Sequence, residues 1–157
     1  MTAGPVRTIR PARAADLPRI QAIVAAAYAK YVPRMGKKSG PMLDDYAAHL
    51  REGTVWVLEA EAGVAGLVVL LPQADHLLLD NVAVDPAFGG RGIGRALIAF
   101  AEAEARRRGF AEIRLYTHET MSENIALYPR LGYEETHRGE QAGYRRVFMR
   151  KRLSAPA

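Results

Sequence analysis

The 157-residue sequence contains no cysteine. This absence excludes disulfide bonds, thiolate zinc sites and a cysteine nucleophile, and it gives no reason to expect an oxidising compartment. Long apolar runs are also lacking: the start of the chain has no segment of signal-peptide length, and no stretch approaches the roughly 18 apolar residues of a membrane span. We therefore expect a cytoplasmic protein with no membrane partner.

Clustered metal ligands are absent as well. The four histidines, at positions 49, 76, 118 and 137, are scattered, and no group of His, Asp and Glu shows metal-ligand spacing. A zinc ion needs ligands that converge on one point. The sequence thus predicts no metal site.

The balance of charge is basic, with a net charge of +5 and an isoelectric point of about 9.7. A basic protein can bind nucleic acid, an anionic surface or a phosphate-rich cofactor, so the net charge alone does not identify the partner. Because no basic stripe is interleaved with aromatic residues and no recognition helix is evident, we expect no nucleic-acid partner. The length fits one domain over residues 1–157, with a core at about 6–151.

Hydrophobic periodicity predicts a chain of strands with interspersed helices. Strands are expected at 6–10, 54–61, 64–71, 77–84, 111–117, 133–137 and 144–150. Helices are expected at about 16–28, 44–51, 93–109 and 120–131, with Asp16 capping the first and a capping box of Thr120 and Glu123 opening the last. The Pro- and Gly-bearing stretch 31–42 is predicted to be a mobile loop. This order predicts a mixed α/β sheet.

The most informative segment joins a buried strand, a Pro-stopped turn, a glycine turn and a helix. Four glycines fall within six residues, at positions 89, 90, 92 and 94. Glycines let the backbone approach an oxyanion closely, and the unpaired amides and positive end of the following helix attract it. Arg91 and Arg95 add positive charge. The pattern indicates a phosphate-binding turn.

Two better-known glycine motifs do not fit this turn. A P-loop needs Lys-Ser or Lys-Thr after its last glycine, and neither dipeptide follows here. A dinucleotide fingerprint needs a third Gly or Ala, where this chain has Arg95 or Leu97. The turn therefore belongs to neither of these phosphate-binding motifs.

Strand, glycine turn and helix together resemble the acetyl-CoA-binding core of the GNAT superfamily of N-acetyltransferases. The family pattern is [Q/R]-x-x-G-x-[G/A], whose second half is matched by Gly92 and Gly94, whereas Gly89 stands at the Gln/Arg place. Any contact made by the family's Gln or Arg side chain is therefore missing here, and Arg91 is a candidate substitute. The resemblance extends over nearly the whole chain, from position 7 to the segment 125–133.

The resemblance implies an α/β (α+β) fold of GNAT type: a mixed, mostly antiparallel sheet of six to seven strands, splayed at the middle and flanked by about four helices. It implies acetyl-CoA as cosubstrate, with the pantetheine arm between strands 80–84 and 113–117. The cofactor-binding residues that it implies are Val82, Ala83, Val84, Gly89, Gly90, Arg91, Gly92, Ile93, Gly94, Arg95, Asn124 and Tyr128.

Tyr128 occupies a place similar to that of the family's general acid, which protonates the departing thiolate. Asn124 lies four residues earlier and projects from the same helix face. Many family members carry an asparagine seven residues before the tyrosine, where this chain has Met121. Asn124 is therefore the candidate for the pantetheine contact.

The reaction that the resemblance implies also needs a base for the acceptor ammonium. The candidates are Asp80, on the splayed strand, Glu119 or His118, at the end of the next strand, and a relayed water. The acceptor would be a primary amine of a small molecule or peptide.

The acceptor-side candidates are Tyr28, Tyr31, Arg34 and His118. The cations of the loop, Arg34, Lys37 and Lys38, would suit an acidic or carboxylate-bearing amine. The alternative function is a CoA-binding regulatory module of the same fold without turnover. The chain is expected to be a monomer or a homodimer, with the strand 144–150 offering an edge for pairing.

Overall fold

A computed structural model describes residues 7–153, which form one seven-stranded sheet. The order across it is β1-β2-β3-β4-β5-β7-β6, and every neighbouring pair is antiparallel except β4 and β5, which are parallel. The fold prediction of a mixed, mostly antiparallel sheet is confirmed. The strands are β1 Thr8–Pro11, β2 Val55–Ala60, β3 Gly63–Pro72, β4 Leu77–Val84, β5 Glu112–His118, β6 Glu134–Gln141 and β7 Tyr144–Arg152.

Between residues 7 and 153, six α-helical segments flank the sheet, and four of them have seven residues or more. Two four-residue helices occupy the stretch predicted to be an irregular loop, because its prolines stand in the first helical turn, where no backbone donor is needed. In the described part of the chain, no helix is long and apolar enough to span a bilayer. The helices are α1 Leu17–Tyr28, α2 Val32–Met35, α3 Gly40–Leu43, α4 Tyr46–Glu52, α5 Ile93–Arg107 and α6 Ser122–Arg130.

Two predicted helix caps are wrong, in each case because another partner takes the capping side chain. The Asp16 carboxylate does not cap α1 and instead accepts hydrogen bonds from the backbone N–H of Arg13 and the guanidinium of Arg10. The capping box at α6 does not form: Thr120 hydrogen-bonds to a histidine ring, and Glu123 pairs with a distant arginine. Of these competing partners, only that of Glu123 is remote in the chain.

The edge of the sheet also differs from the prediction. Strand β7 lies between β5 and β6, so both of its edges are already paired. The edge strands are β1 and β6, and all eight residues of β6 are exposed. Pairing of two copies through the strand 144–150 is therefore excluded by the topology.

The core consists of two clusters on the two faces of the sheet. Strand β3 contributes to both, since successive side chains of a strand point to opposite faces. Leu70 packs in the cluster beneath α5, with Leu97 and Ile113, and Val69 packs in the cluster beneath α1, with Ile23. Burial on both faces makes β3 a continuous apolar run, as is typical of a central strand.

A glycine on β3 lets α5 approach the sheet closely. A Cβ on Gly66 would lie 3.0 Å from the carbonyl oxygen of Ala83 and 3.0 Å from Cδ1 of Leu97. Gly66→Ala should therefore lower the free energy of unfolding by about 1–3 kcal/mol, through overpacking. Gly139→Ala is the matched control, because no atom lies within 4 Å of its added Cβ. Urea unfolding checks this, and equal midpoints for the two variants would contradict the close approach.

Candidate active site

Strands β4 and β5 part in the middle of the sheet. Their parallel ladder joins only three pairs of residues, the last of which is Leu79 with Leu115. Beyond that pair the strands diverge, and one hydrogen bond spans the gap, from the Tyr116 hydroxyl to Oδ1 of Asp80 at 2.6 Å. This confirms the predicted splay and leaves a V-shaped cleft.

The glycine turn lies at the carboxyl end of β4. Gly90 has φ 76° and Gly92 has φ 74°, in the left-handed region that favours glycine. Gly92 is the N-cap of α5, and no side chain caps the helix. The first hydrogen bond of the helix runs from the Ala96 amide to the Gly92 carbonyl, at 3.0 Å, so the preceding amides have no partner within the helix.

These features fit a phosphate group. Unpaired amides at the positive end of a 15-residue helix attract an anion. Arg91 and Arg95 are exposed beside the turn, and the Arg91 guanidinium lies over the Phe88 ring, 5.3 Å from its centroid. The turn is therefore a candidate anion site, and it lies beside the cleft between β4 and β5.

One cavity occupies the cleft and collects several of the residues predicted from the sequence. Residues from β4, β5, α1 and α6 meet in its wall, although they are far apart in the chain. The lining includes Tyr28, Asp80, Val82, His118, Asn124 and Tyr128.

Tyr128 is held rigidly on α6. Its ring is 5% exposed and packs edge-on against Tyr133, with the ring centroids 5.5 Å apart. Burial raises the pKa of the Tyr128 hydroxyl, so it stays protonated at neutral pH. One turn earlier, the Asn124 amide lies 3.4 Å from Oγ1 of Thr117. The two residues line one side of the cavity.

Among the predicted bases, Asp80 is the one most enclosed by the cleft. Burial raises the pKa of its carboxyl above the ordinary value, and the hydrogen bond from Tyr116 opposes that rise. Glu119 is outside the cavity lining, is exposed, and lies 3.5 Å from the Arg145 guanidinium. His118 lines the cavity, and its Nδ1 accepts from the Thr120 amide at 3.1 Å. Burial lowers the pKa of His118.

Of the residues predicted for the acceptor side, some line the cavity and others lie outside it. Tyr28 lines the cavity, and its hydroxyl donates to the side-chain oxygen of Asn81. Tyr31 and Arg34 lie outside the lining: both bind Glu123, with Arg34 Nη1 donating to Oε1 at 2.7 Å. These two residues tie the α2 segment to α6 and do not face the cavity.

A buried network that sequence reasoning missed shapes the acceptor side. The Asn81 amide donates to the Tyr46 hydroxyl at 2.9 Å, and that hydroxyl donates to the carbonyl of Pro41 at 2.6 Å. The network fastens α3 against β4. An asparagine on the inward face of an apolar strand was the available signal, because buried amides need partners.

Two further side chains near the cleft, Asp44 and His49, could ligate a cation together with Asp80. Asp44, His49 and Asp80 each place one ligand atom within 4.8 Å of the others. Nε2 of His49 and Oδ2 of Asp44 are 2.8 Å apart, a hydrogen-bond distance shorter than the about 3.3 Å between ligands of a tetrahedral zinc site. The absence of a metal stays a prediction.

The comparisons with known proteins agree with this geometry. Residues 51–135 match a family model described as "Acetyltransferase (GNAT) domain". The chain is 31% identical, over 128 residues, to the N-acetyltransferase YjgM of Escherichia coli (strain K12), covering 76% of this chain and 77% of that protein. It spans only 38–40% of the length of three mammalian N-acetyltransferases with 30–34% identity.

Solved structures share the fold. The ribosomal-protein-S18-alanine N-acetyltransferase from Escherichia coli superposes with a TM-score of 0.76 and 24% identity, over 97% of each chain. The PaiA N-acetyltransferase from Thermoplasma acidophilum, in complex with coenzyme A, gives a TM-score of 0.73 and 18% identity, over 94% of this chain and 99% of that one. At these identities the likeness shows the fold alone.

Proposed function

We propose a reaction on the premise that the chain belongs to the GNAT superfamily of acetyltransferases. As a GNAT-type N-acetyltransferase, it transfers an acetyl group from acetyl-CoA to a primary amine. The supporting observation is that Asp80 and Tyr128 line one cavity in the gap between β4 and β5, beside a glycine turn with unpaired amides. The residues proposed as base, acid and anion site thus lie around one cleft.

The cofactor would lie along β4, with its pyrophosphate on the amides of the residues that follow Gly92. Backbone groups of Val82, Ala83 and Val84 would pair with the pantetheine amides like a missing strand. Bound acetyl-CoA supplies the thioester that the amine attacks. Asn124 would hold the pantetheine arm from α6.

The chain's own groups move the protons. Asp80 accepts a proton from the acceptor ammonium, which frees the nitrogen lone pair to bond to the acetyl carbon. As the C–S bond breaks, the Tyr128 hydroxyl donates its proton to the sulfur. The nitrogen gives its second proton to the Tyr128 phenolate, which restores the phenol, and Asp80 releases its proton to solvent. The products are the N-acetyl amine, the free thiol and one proton.

Thiol release with a panel of amines tests the proposal. Polyamines, amino acids, aminoglycosides and peptides would each be offered with acetyl-CoA, and amine-dependent release on any of them supports an enzyme. Binding of CoA without release on every amine favours the alternative, a regulatory module that keeps the fold without turnover. Titration calorimetry with CoA separates that alternative from a chain that does not bind the cofactor.

The pH profile of turnover tests Asp80 as the base. Since burial raises the pKa of Asp80, the reactive carboxylate is lost as pH falls through that raised value, and kcat/KM should fall with it. Asp80→Asn should remove this fall of kcat/KM at low pH, because the variant has no carboxylate to protonate. It should lower kcat/KM by about 10- to 50-fold and no more, because water can relay part of the proton transfer. Glu119→Gln is the comparison. If only Glu119→Gln abolishes the fall of kcat/KM at low pH, Glu119 is the general base. If both variants keep that fall, a water relay is favoured.

A further inference from the structure

A half-buried arginine on β7 has most of its donors unused. The guanidinium of Arg146 lies over the Tyr116 ring, 4.1 Å from its centroid, and one nitrogen donates to Oε1 of Gln141 at 2.6 Å. Within residues 7–153, no carboxylate lies within ion-pair distance of it. By contrast, Arg145 and Arg150, on the same strand, each pair with a glutamate.

This arginine stands at the centre of the acceptor side. Three neighbouring cavities meet at this point, and the residues common to their linings are Asp80, Tyr116 and Arg146. Tyr116 touches both of its neighbours: its hydroxyl donates to Asp80, and its ring supports the guanidinium. The tyrosine therefore spaces a carboxylate from a guanidinium and keeps them from pairing directly.

A second polar group in the same cavity has no partner. Ser39 is 1% exposed and lines the cavity, and its hydroxyl makes no hydrogen bond within the described chain. A buried hydroxyl without a partner costs about 1–3 kcal/mol, and a polar ligand can relieve that cost. The cavity therefore has unused hydrogen-bonding groups for a ligand that carries polar groups in addition to the reacting amine.

We propose that Arg146 binds the carboxylate of the acceptor, so that the substrates are amino acids and related amino-carboxylates. The planar guanidinium matches a carboxylate with two parallel hydrogen bonds, and aromatic stacking holds it in position. Asp80 faces the ammonium of the same molecule. The inference rests on the proposed function and narrows its acceptor class. Two of the three loop cations that the sequence singled out are engaged elsewhere: Arg34 binds Glu123, and Lys37 binds the Gly143 carbonyl.

Paired substrates test this assignment. An amino acid, its amide, its decarboxylated amine and a dipeptide would be compared by kcat/KM for thiol release. Wild type should prefer the amino acid to its amide by about 10- to 100-fold, the range of a charge-assisted bidentate contact. Arg146→Gln should bring that ratio close to one, and Arg146→Lys should keep part of it. If the dipeptide is preferred, Arg146 still binds the substrate carboxylate, but that carboxylate lies farther from the reacting amine.

Arg145→Gln is the matched control, because its side chain is 75% exposed and points away from the lining set. It should keep the wild-type ratio. An unchanged ratio in Arg146→Gln, or a wild-type preference for amides, would overturn the inference while leaving acetyl transfer intact. If no amine is acetylated, calorimetry of amino-acid binding to the CoA-loaded protein decides: binding that Arg146→Gln removes supports the assignment, and no binding refutes it.

Discussion

Gly92→Glu should raise the dissociation constant for CoA by at least about 100-fold, equivalent to about 2.7 kcal/mol. Gly92 is the N-cap of α5, with φ 74° and no atom within 4 Å of an added Cβ. A glutamate side chain there meets no neighbouring atom in the free protein, but it places a carboxylate among the amides that would receive the pyrophosphate. Like-charge repulsion and the loss of close backbone approach act together. Titration calorimetry with CoA measures the effect.

Gly53→Glu separates this effect from backbone strain. Gly53 follows α4 with φ 70°, is exposed, and also has no atom within 4 Å of an added Cβ. The two variants share the same change of residue and the same left-handed strain, which costs roughly 1–2 kcal/mol in stability. We expect Gly53→Glu to melt earlier and to bind CoA like wild type. Equal CoA affinity in both variants would remove the glycine turn from the cofactor site.

The glycine turn and the strands were predictable because their signals are local. Left-handed glycines, a proline that stops a strand and a period of two or 3.6 residues are each contained in a short window. The hairpin of β2 and β3, the buried strand β4 and the helix α5 accordingly lie where the sequence predicts them. The splay between β4 and β5 came from the family resemblance, and the short ladder that ends at Leu79 confirms it.

The fate of the polar side chains was not predictable, because it depends on partners that are remote in the chain. Arg34 and Glu123 pair across 89 positions, which removes one from the acceptor side and the other from its capping box. The Asn81 amide bonds to a tyrosine 35 positions away. Periodicity assigns such residues to a face of an element but does not identify the charge that meets them.

Arg146 is a functional candidate that the sequence alone could not single out. In the sequence it is one of a crowd of basic residues on the last strand, and its neighbour Arg145 looks equivalent. The alternation of a strand sends the two side chains to opposite faces. One is 75% exposed and paired with Glu119, and the other stacks on Tyr116 in the cleft. Only the register of β7 against β5, which pairs Arg146 with His118, distinguishes them.

Tyr128→Phe should lower kcat by about 100- to 1,000-fold and leave CoA binding unchanged. The variant removes one hydroxyl from a ring that is held by packing, so the cavity keeps its shape. A positioned general acid contributes about 10²- to 10⁴-fold to a rate. Because burial raises the pKa of this phenol, wild type should keep its acid throughout the neutral range, and the fractional loss should be the same at each pH. Thiol release at saturating amine, with CoA calorimetry, checks both parts.

Tyr133→Phe provides the matched control for the loss of a buried phenol. Tyr133 packs against Tyr128, and its hydroxyl donates to Oε2 of Glu102 at 3.0 Å, on the side of the core and outside the cavity lining. Its loss leaves a buried carboxylate oxygen short of a donor, so we expect reduced stability, by about 1–3 kcal/mol, with kcat near wild type. A kcat for Tyr128→Phe close to that of Tyr133→Phe would mean that the sulfur takes its proton from water. Divergent rates with equal CoA affinity would assign the proton to Tyr128, since packing and cofactor binding are then the same in both variants.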